Sequence, residues 1–131
     1  MSDAPDIERY HERLDPDDRR VCAVLRGEID RVLTGATSKV WHAHPVWFLD
    51  DNPIVGYDRL KDAIRLMFWS GQSFGTPGLT ATGTFQAAEA RYTAVEDIDL
   101  VALASWLEES RSVQWNYRDI RKTKGKLERL S

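Results

Sequence analysis

Residues 38 to 93 constrain the fold of this chain more than any other part of the sequence. They consist of short runs of aromatic and β-branched residues, and turn residues interrupt each run. Runs of this length and composition are typical of antiparallel strands. From residue 63 to 69 the pattern alternates strictly, with Ile64, Leu66 and Phe68 on one side. We therefore expect an antiparallel sheet in which this alternating strand is central.

The same region predicts where the other strands and their connections lie. Pro45 separates the first two extended segments, and the run from Asp50 to Pro53 is a turn signal. The segment from residue 70 to 78 is expected to be a flexible connection or lid. Extended structure is predicted at residues 39–43, 46–49, 54–59, 63–69, 79–85 and 89–93, forming a curved sheet of about five strands.

Helical patterns flank the predicted sheet on both sides. Asp15 is a good N-cap and Pro16 suits the first helical position, so we place a helix at residues 16–33. A second helix is expected to start near Asp99. Whether it continues past Ser110 is left open by the periodicity. The order of elements predicts an α+β fold with these helices on one face of the sheet, packing on a core of Leu25, Ile29, Ile64, Leu66, Phe68, Leu103 and Leu107.

Length and composition predict one domain over residues 1–131. No apolar run approaches the roughly 20 residues that cross a bilayer, and the N-terminus lacks the pattern of a signal peptide. The single cysteine, Cys22, cannot form an internal disulfide. We therefore expect a cytoplasmic protein that does not bind membranes. A formal charge of −3 gives no general attraction to phosphate, so nucleic-acid binding is not expected.

Charge is distributed unevenly between the two ends of the chain. Residues 1–14 form an acidic segment, and residues 122–131 form a basic tail that we expect to be frayed. Acids that begin the predicted helix at residue 16 are explained by capping and by the helix dipole. The remaining N-terminal acids have no such explanation, and their carboxylates are weak candidate ligands for a hard cation such as iron. They are Asp3, Asp6, Glu8 and Glu12.

His42 and His44 are the other candidate metal ligands. Residues two apart on a strand project to the same face, so the two imidazoles could chelate a transition metal. Ordinary hydrogen bonding of histidines on a half-buried strand is the alternative explanation. A catalytic metal site would need a third protein ligand. That ligand could come from His11, Asp50, Asp51 or Asp58.

Five tryptophans are many for a chain of 131 residues. Aromatic side chains on one sheet face could line a ligand pocket, although core packing explains them equally well. Trp69 shares its predicted strand face with Met67 and Arg65, opposite the aliphatic side. The candidate pocket residues are Trp41, Trp47, Arg65, Met67 and Trp69.

The order and spacing of several motifs resemble the YdhG-like family of small bacterial domains, which has no agreed activity. The resembling segments are WHAHPVW at 41–47, PIVGY at 53–57, IRLMFWSG at 64–71, GLTATG at 78–83 and EDIDL at 96–100. One branch of the family has been linked to iron delivery by analogy with frataxin. The resemblance therefore implies that surface carboxylates hold iron and pass it to an acceptor protein.

Three hypotheses for the function follow. The leading one is a non-enzymatic binding protein, specifically a frataxin-like iron chaperone that passes iron to an acceptor protein. The first alternative is a module that binds a small molecule or a protein through the aromatic face of the sheet. The second alternative is a metal-dependent enzyme centred on His42 and His44.

Overall fold

The computed structural model describes residues 5–83, 85–120, 122 and 124–130. Three helices and a six-stranded antiparallel sheet form an open α+β fold, which confirms the predicted class. The elements in chain order are α1 (Pro5–Glu12), α2 (Pro16–Val32), β1 (Thr37–Trp41), β2 (His44–Leu49), β3 (Asn52–Arg59), β4 (Ile64–Phe68), β5 (Thr80–Ala81), β6 (Ala88–Tyr92) and α3 (Leu100–Ser110).

The strands lie in the order β1-β2-β3-β4-β6-β5. β4 is therefore interior, paired with β3 and β6, as its alternating pattern predicts. The predicted strand at 79–85 is wrong in length, because β5 pairs with β6 only through Thr80 and Ala81. After Ala81 the chain turns at Gly83, whose φ is +72°, and the Thr82 N–H binds the Ala87 carbonyl at 2.9 Å. This tight return ends the strand early.

Two-residue turns join the first three strands. His42 and Ala43 connect β1 to β2 with φ of 52° and 72°, and Asp50 and Asp51 connect β2 to β3 with φ of 50° and 64°. Two successive positive φ values are typical of the type I′ hairpin turn. The predicted break at Pro45 is therefore wrong. Since pairing of β2 with β3 begins only at Val46, the missing N–H of Pro45 costs the sheet no ladder bond.

The helices contribute to one hydrophobic cluster on one face of the sheet, here called the helix face. Every residue of the predicted core is fully buried there. Trp47 joins them at 1% exposure, and its Nε1 donates a hydrogen bond of 2.8 Å to Asp30 on α2. Within the described residues, no helix combines the length and apolar character that crossing a membrane requires.

α3 ends at Ser110, so the helix does not continue past it. Among the described residues the following segment folds back on itself, since Trp115 forms a β-bridge with Arg129 and the Leu130 N–H binds the Gln114 carbonyl at 2.8 Å. That the tail at 122–131 is frayed stays a prediction. Thr123 and Ser131 of the predicted tail lie outside the described residues. The buried side chain of Asn52, at the start of β3, holds this segment through four hydrogen bonds.

Candidate functional site

A cleft of about 780 Å³ lies beside β6, between that strand and α3. This volume falls within the range of small-molecule sites in proteins. The segment around Gly78 and Thr80 forms its other wall. We call it the β6–α3 cleft.

The cleft exists because β5 is so short. Pairing of β5 with β6 reaches Ala88 and Glu89 and no further, so Ala90 and Tyr92 lie beside open space. The other wall, formed by the segment around Gly78 and Thr80, packs directly on α3. A Cβ atom at Gly78 would lie 2.8 Å from Cζ2 of Trp106, and φ of Gly78 is +114°. Only glycine allows this close approach without strain.

Trp106 and Tyr92 form the buried floor of the cleft. The Trp106 Nε1 donates to the Pro77 carbonyl at 3.1 Å, which fixes the indole. Tyr92 is only 4% exposed, and its hydroxyl is buried without a hydrogen-bond partner in the described structure. Leaving a buried polar group unpaired costs about 1–3 kcal/mol. A polar atom of a ligand bound in the cleft would remove that cost.

The Tyr92 hydroxyl is held in its neutral form. Burial, with a further contribution from the negative charge of Asp99, raises the pKa of Tyr92 to about 12. At neutral pH the hydroxyl therefore keeps its proton and can both donate and accept a hydrogen bond.

Two exposed carboxylates line the solvent side of the cleft. Asp97 Oδ2 accepts from the Thr93 hydroxyl at 2.7 Å and from the N–H groups of Thr93 and Ala94, and these hydrogen bonds lower the pKa of Asp97. Asp99 is the N-cap of α3, and its Oδ1 accepts from the Ala102 N–H at 3.1 Å. Both side chains are thus fixed in position by backbone contacts.

Glu89 and Arg91 are the other charged residues that line the cleft, and their side chains lie on the open face of β6, beside those of Met67 and Arg65. Arg91 Nε lies 2.5 Å from Glu89 Oε2, and Arg65 lies 3.8 Å from the other oxygen. Burial alone would raise the pKa of Glu89, but hydrogen bonds from Arg91 and Thr82 outweigh it, and the net shift is downward. The charge of Arg91 is therefore largely matched by Glu89.

The predicted pocket residues do not line this cleft. Trp41, Met67 and Trp69 are half-buried on the open face of the sheet, opposite the helices. Trp69 stacks on His44 with ring centroids 6.4 Å apart, and its ring lies over Gly56.

The other two predicted pocket residues are engaged elsewhere. Arg65 also lies on the open face, where it forms a bidentate ion pair with Asp58 at 2.8 and 2.9 Å. Trp47 does not share that face, because it points into the helix-face core. The predicted set is therefore split between the two faces of the sheet.

The predicted chelating geometry of the histidine pair is wrong. His42 lies in the β1–β2 turn and His44 in β2, so they are not alternate residues of one strand. Burial lowers the pKa of His44, and in the part of the chain that the structure describes its Nδ1 is buried without a hydrogen-bond partner. Among the described residues, no group of three or more His, Cys, Asp or Glu side chains is placed to hold a metal.

The proposed third ligands also have other roles. His11 lies 2.6 Å from the Tyr57 hydroxyl, and Asp58 pairs with Arg65. Asp50 and Asp51 form the β2–β3 turn.

Two of the four N-terminal acids have structural roles that the sequence did not reveal. Asp6 Oδ2 accepts from the Val40 N–H at 2.7 Å, which ties α1 to β1. Glu8 forms an ion pair of 2.5 Å with Arg26. Glu12 is exposed, and Asp3 lies outside the described residues.

Sequence reasoning missed the residues of the cleft. It assigned Asp97 and Asp99 only to a helix start, and it gave Tyr92 and Trp106 no role. One signal was present in the sequence, namely a tyrosine that ends a strand shortly before an acidic helix start. The resemblance to the YdhG-like family stays a prediction. No family model matches the chain, and comparison with curated proteins and with solved structures gives no match.

Proposed function

We propose that this chain is a non-enzymatic binding protein that holds a small organic molecule in the β6–α3 cleft. The observation that carries the proposal is the Tyr92 hydroxyl, which is buried, has no hydrogen-bond partner among the described residues and belongs to a residue that lines a cleft of suitable volume. A polar atom of the ligand would pair with that hydroxyl. Its apolar body would cover the floor that Trp106 and Tyr92 form.

The side chains with nucleophilic or acid–base capacity support binding over turnover. Cys22 is fully buried in α2, and burial raises the pKa of its thiol to about 12, so it is a poor nucleophile. Asp97 and Asp99 are each committed to backbone N–H groups. Carboxylates held in that way are better suited to orienting a ligand than to exchanging protons with it.

Iron delivery, which the family resemblance implies, draws less support from the described residues. The Asp6 carboxylate accepts a hydrogen bond from a backbone N–H of β1, and Glu8 is paired with Arg26. Weak, exchangeable iron binding needs several exposed carboxylates that can converge on one ion.

A ligand-observed NMR screen of a fragment collection tests the proposal. The decisive variant is Ala102→Phe, which adds a ring to the wall of the cleft. The matched control is Val101→Phe, because Val101 is the preceding residue of α3 and is 79% exposed. We expect fragments whose affinity falls by about tenfold or more with Ala102→Phe and is unchanged with Val101→Phe.

Two further measurements complete the test. Thermal melts of both variants verify that they are folded, and mass spectrometry of the recovered fragments checks that they are chemically unchanged. Fragments that bind both variants equally well, or a screen with no hits, would contradict the proposal.

A further inference from the structure

We infer that the β6–α3 cleft selects organic cations, in the form of a small molecule that carries an ammonium or amidinium group on an apolar body. This inference rests on the proposed function and names the class of its ligand. Its basis is the negative charge beside the aromatic side chains of the cleft, since Asp97 and Asp99 line it together with Trp106 and Tyr92. Glu89 and Arg91 also line the cleft, but they pair with Met67 and Arg65 of β4, so their side chains lie on the open face of the sheet.

The charges of Glu89 and Arg91 largely cancel each other. Arg91 Nε contacts Glu89 Oε2 at 2.5 Å, and Arg65 lies on the other Glu89 oxygen. Arg91 is therefore committed to a nearly buried carboxylate. The charges that remain for a ligand are those of Asp97 and Asp99, and both are negative.

Each of these aspartates keeps one oxygen for a ligand. All hydrogen bonds that Asp97 accepts in the described structure end on Oδ2, which leaves Oδ1 unoccupied. Asp99 accepts the Ala102 N–H through Oδ1, which leaves Oδ2. Because the backbone already fixes both carboxylates, little side-chain entropy is lost when a cation meets them. An anion would meet these two negative charges, while the guanidinium of Arg91 is already paired with Glu89.

The floor of the cleft provides a second attraction that favours the same class. The face of an aromatic ring attracts a cation by about 0.5–2 kcal/mol, depending on how far the pair is shielded from water. Trp106 is held in place by its bond to the Pro77 carbonyl, and Tyr92 of β6 also lines the cleft. The Tyr92 hydroxyl, which is buried without a partner among the described residues, is the acceptor that we assign to an N–H donor of the ligand.

Three probes of matched shape and different charge test the inference. They are 2-phenylethylamine, which is a cation at neutral pH, the neutral 2-phenylethanol, and the anion phenylacetate. Binding to the full chain is followed by ¹H–¹⁵N NMR through the indole N–H of Trp106 and the amide of Tyr92. We expect the amine to bind about fivefold or more tightly than the alcohol, and phenylacetate to bind most weakly. Added salt should weaken the binding of the amine and leave the binding of the alcohol unchanged.

Matched variants test which residues cause the preference for the amine. Asp99→Asn keeps the ability to cap α3 and removes one charge, so it should reduce the preference for the amine by about threefold to tenfold. Tyr92→Phe removes only the hydroxyl and should lower the affinity for the amine. Asp51→Asn is the control, because Asp51 is an exposed acid in the β2–β3 turn and asparagine tolerates its positive φ.

The outcomes separate this inference from the proposed function. If the alcohol or phenylacetate binds in the cleft as tightly as the amine, the cation preference is wrong while the cleft remains a binding site. The cation preference is also wrong if Asp99→Asn and Asp51→Asn have equal effects on amine binding. If neither the probes nor the fragment collection perturbs Trp106 and Tyr92, both the inference and the proposed function are wrong.

Discussion

The Oδ1 atom of Asn52 accepts a hydrogen bond of 3.0 Å from the backbone N–H of Tyr117, 65 residues later in the chain. The same oxygen accepts from Arg118, and Nδ2 donates to the Trp115 carbonyl. Asn52 is 1% exposed, so its own amide group is shielded from water while the bonds as a whole are partly buried. One side chain thus anchors the segment that follows α3.

Replacing Asn52 by alanine should detach that segment. The change leaves three partly buried backbone groups without this partner, so we expect the free energy of unfolding to fall by about 1–3 kcal/mol. Hydrogen exchange should speed up most at Tyr117 and Arg118. Asn116→Ala is the comparison, since the side chain of Asn116 bonds to Asp119 within the same segment. Equal effects of the two substitutions would contradict the anchoring role.

Stability should decrease as the pH falls below about 6.5. Burial, with the nearby charges of Arg26 and Arg19, lowers the pKa of His11 against an opposing effect of Glu8. The unfolded chain then binds a proton more readily than the native one, so stability is full above the unfolded pKa of about 6.5 and is lost as the pH approaches the lower native pKa. Denaturant melts between pH 4.5 and 7.5, by about half-unit steps, measure the decrease.

The contribution of His11 can be isolated by substitution. Burial also lowers the pKa of His44, so His44 adds to the decrease with the same sign. His11→Gln removes the titrating ring and can still hydrogen-bond to Tyr57. We expect a shallower pH dependence in that variant. An unchanged slope would mean that His11 does not titrate differently in the folded state.

Gly78→Ala should damage the wall of the cleft. The new Cβ would lie 2.8 Å from the Trp106 ring, at a backbone φ of +114°. Gly83→Ala is the matched control, because its φ is +72° and no atom lies within 4 Å of the new Cβ. We expect about 1 kcal/mol of destabilisation in the control and about 1–3 kcal/mol more for Gly78→Ala. The Trp106 indole signal should shift only in the latter. Equal destabilisation by Gly78→Ala and Gly83→Ala would show that contact with the Trp106 ring does not matter at Gly78.

Asp6→Ala should destabilise the fold, unlike substitution of an unengaged surface acid. Its carboxylate accepts from the backbone of Val40 and from Ile7, and we expect a loss of about 1–2 kcal/mol. Glu12→Gln is the control, with little change expected. A Tm of Asp6→Ala equal to that of the wild type would show that the tie to β1 is unimportant.

Calorimetric titration with Fe(II) under anaerobic conditions tests the iron hypothesis directly. Because Asp6 and Glu8 are engaged, we expect no heat beyond dilution. A saturable heat that Glu8→Gln and Glu12→Gln together abolish would restore iron delivery as the leading function.

Sequence patterns predicted the elements that depend on local periodicity. The alternation of Ile64, Leu66 and Phe68 placed β4 inside the sheet, and Pro16 marked the start of α2. These features depend on neighbouring residues within one element. Nothing beyond the local pattern was needed to find them.

Features that depend on distant contacts could not be predicted in this way. Pro45 resembles a strand breaker, yet it is tolerated because β3 has no partner for it there. The acids at positions 6 and 8 were candidate ligands until their partners on β1 and α2 were known. The cleft was missed for the same reason, since it arises where β5 ends and α3 passes.

The anchoring of the segment after α3 by Asn52 also makes folding depend on a contact between distant parts of the chain. The Tyr117 N–H that donates to Asn52 lies 65 residues further along the sequence. Closing so long a stretch of chain costs conformational entropy before the contact stabilises anything, and such contacts form slowly. The hydrogen bonds of Asn52 are therefore expected to form after the hairpins of the sheet.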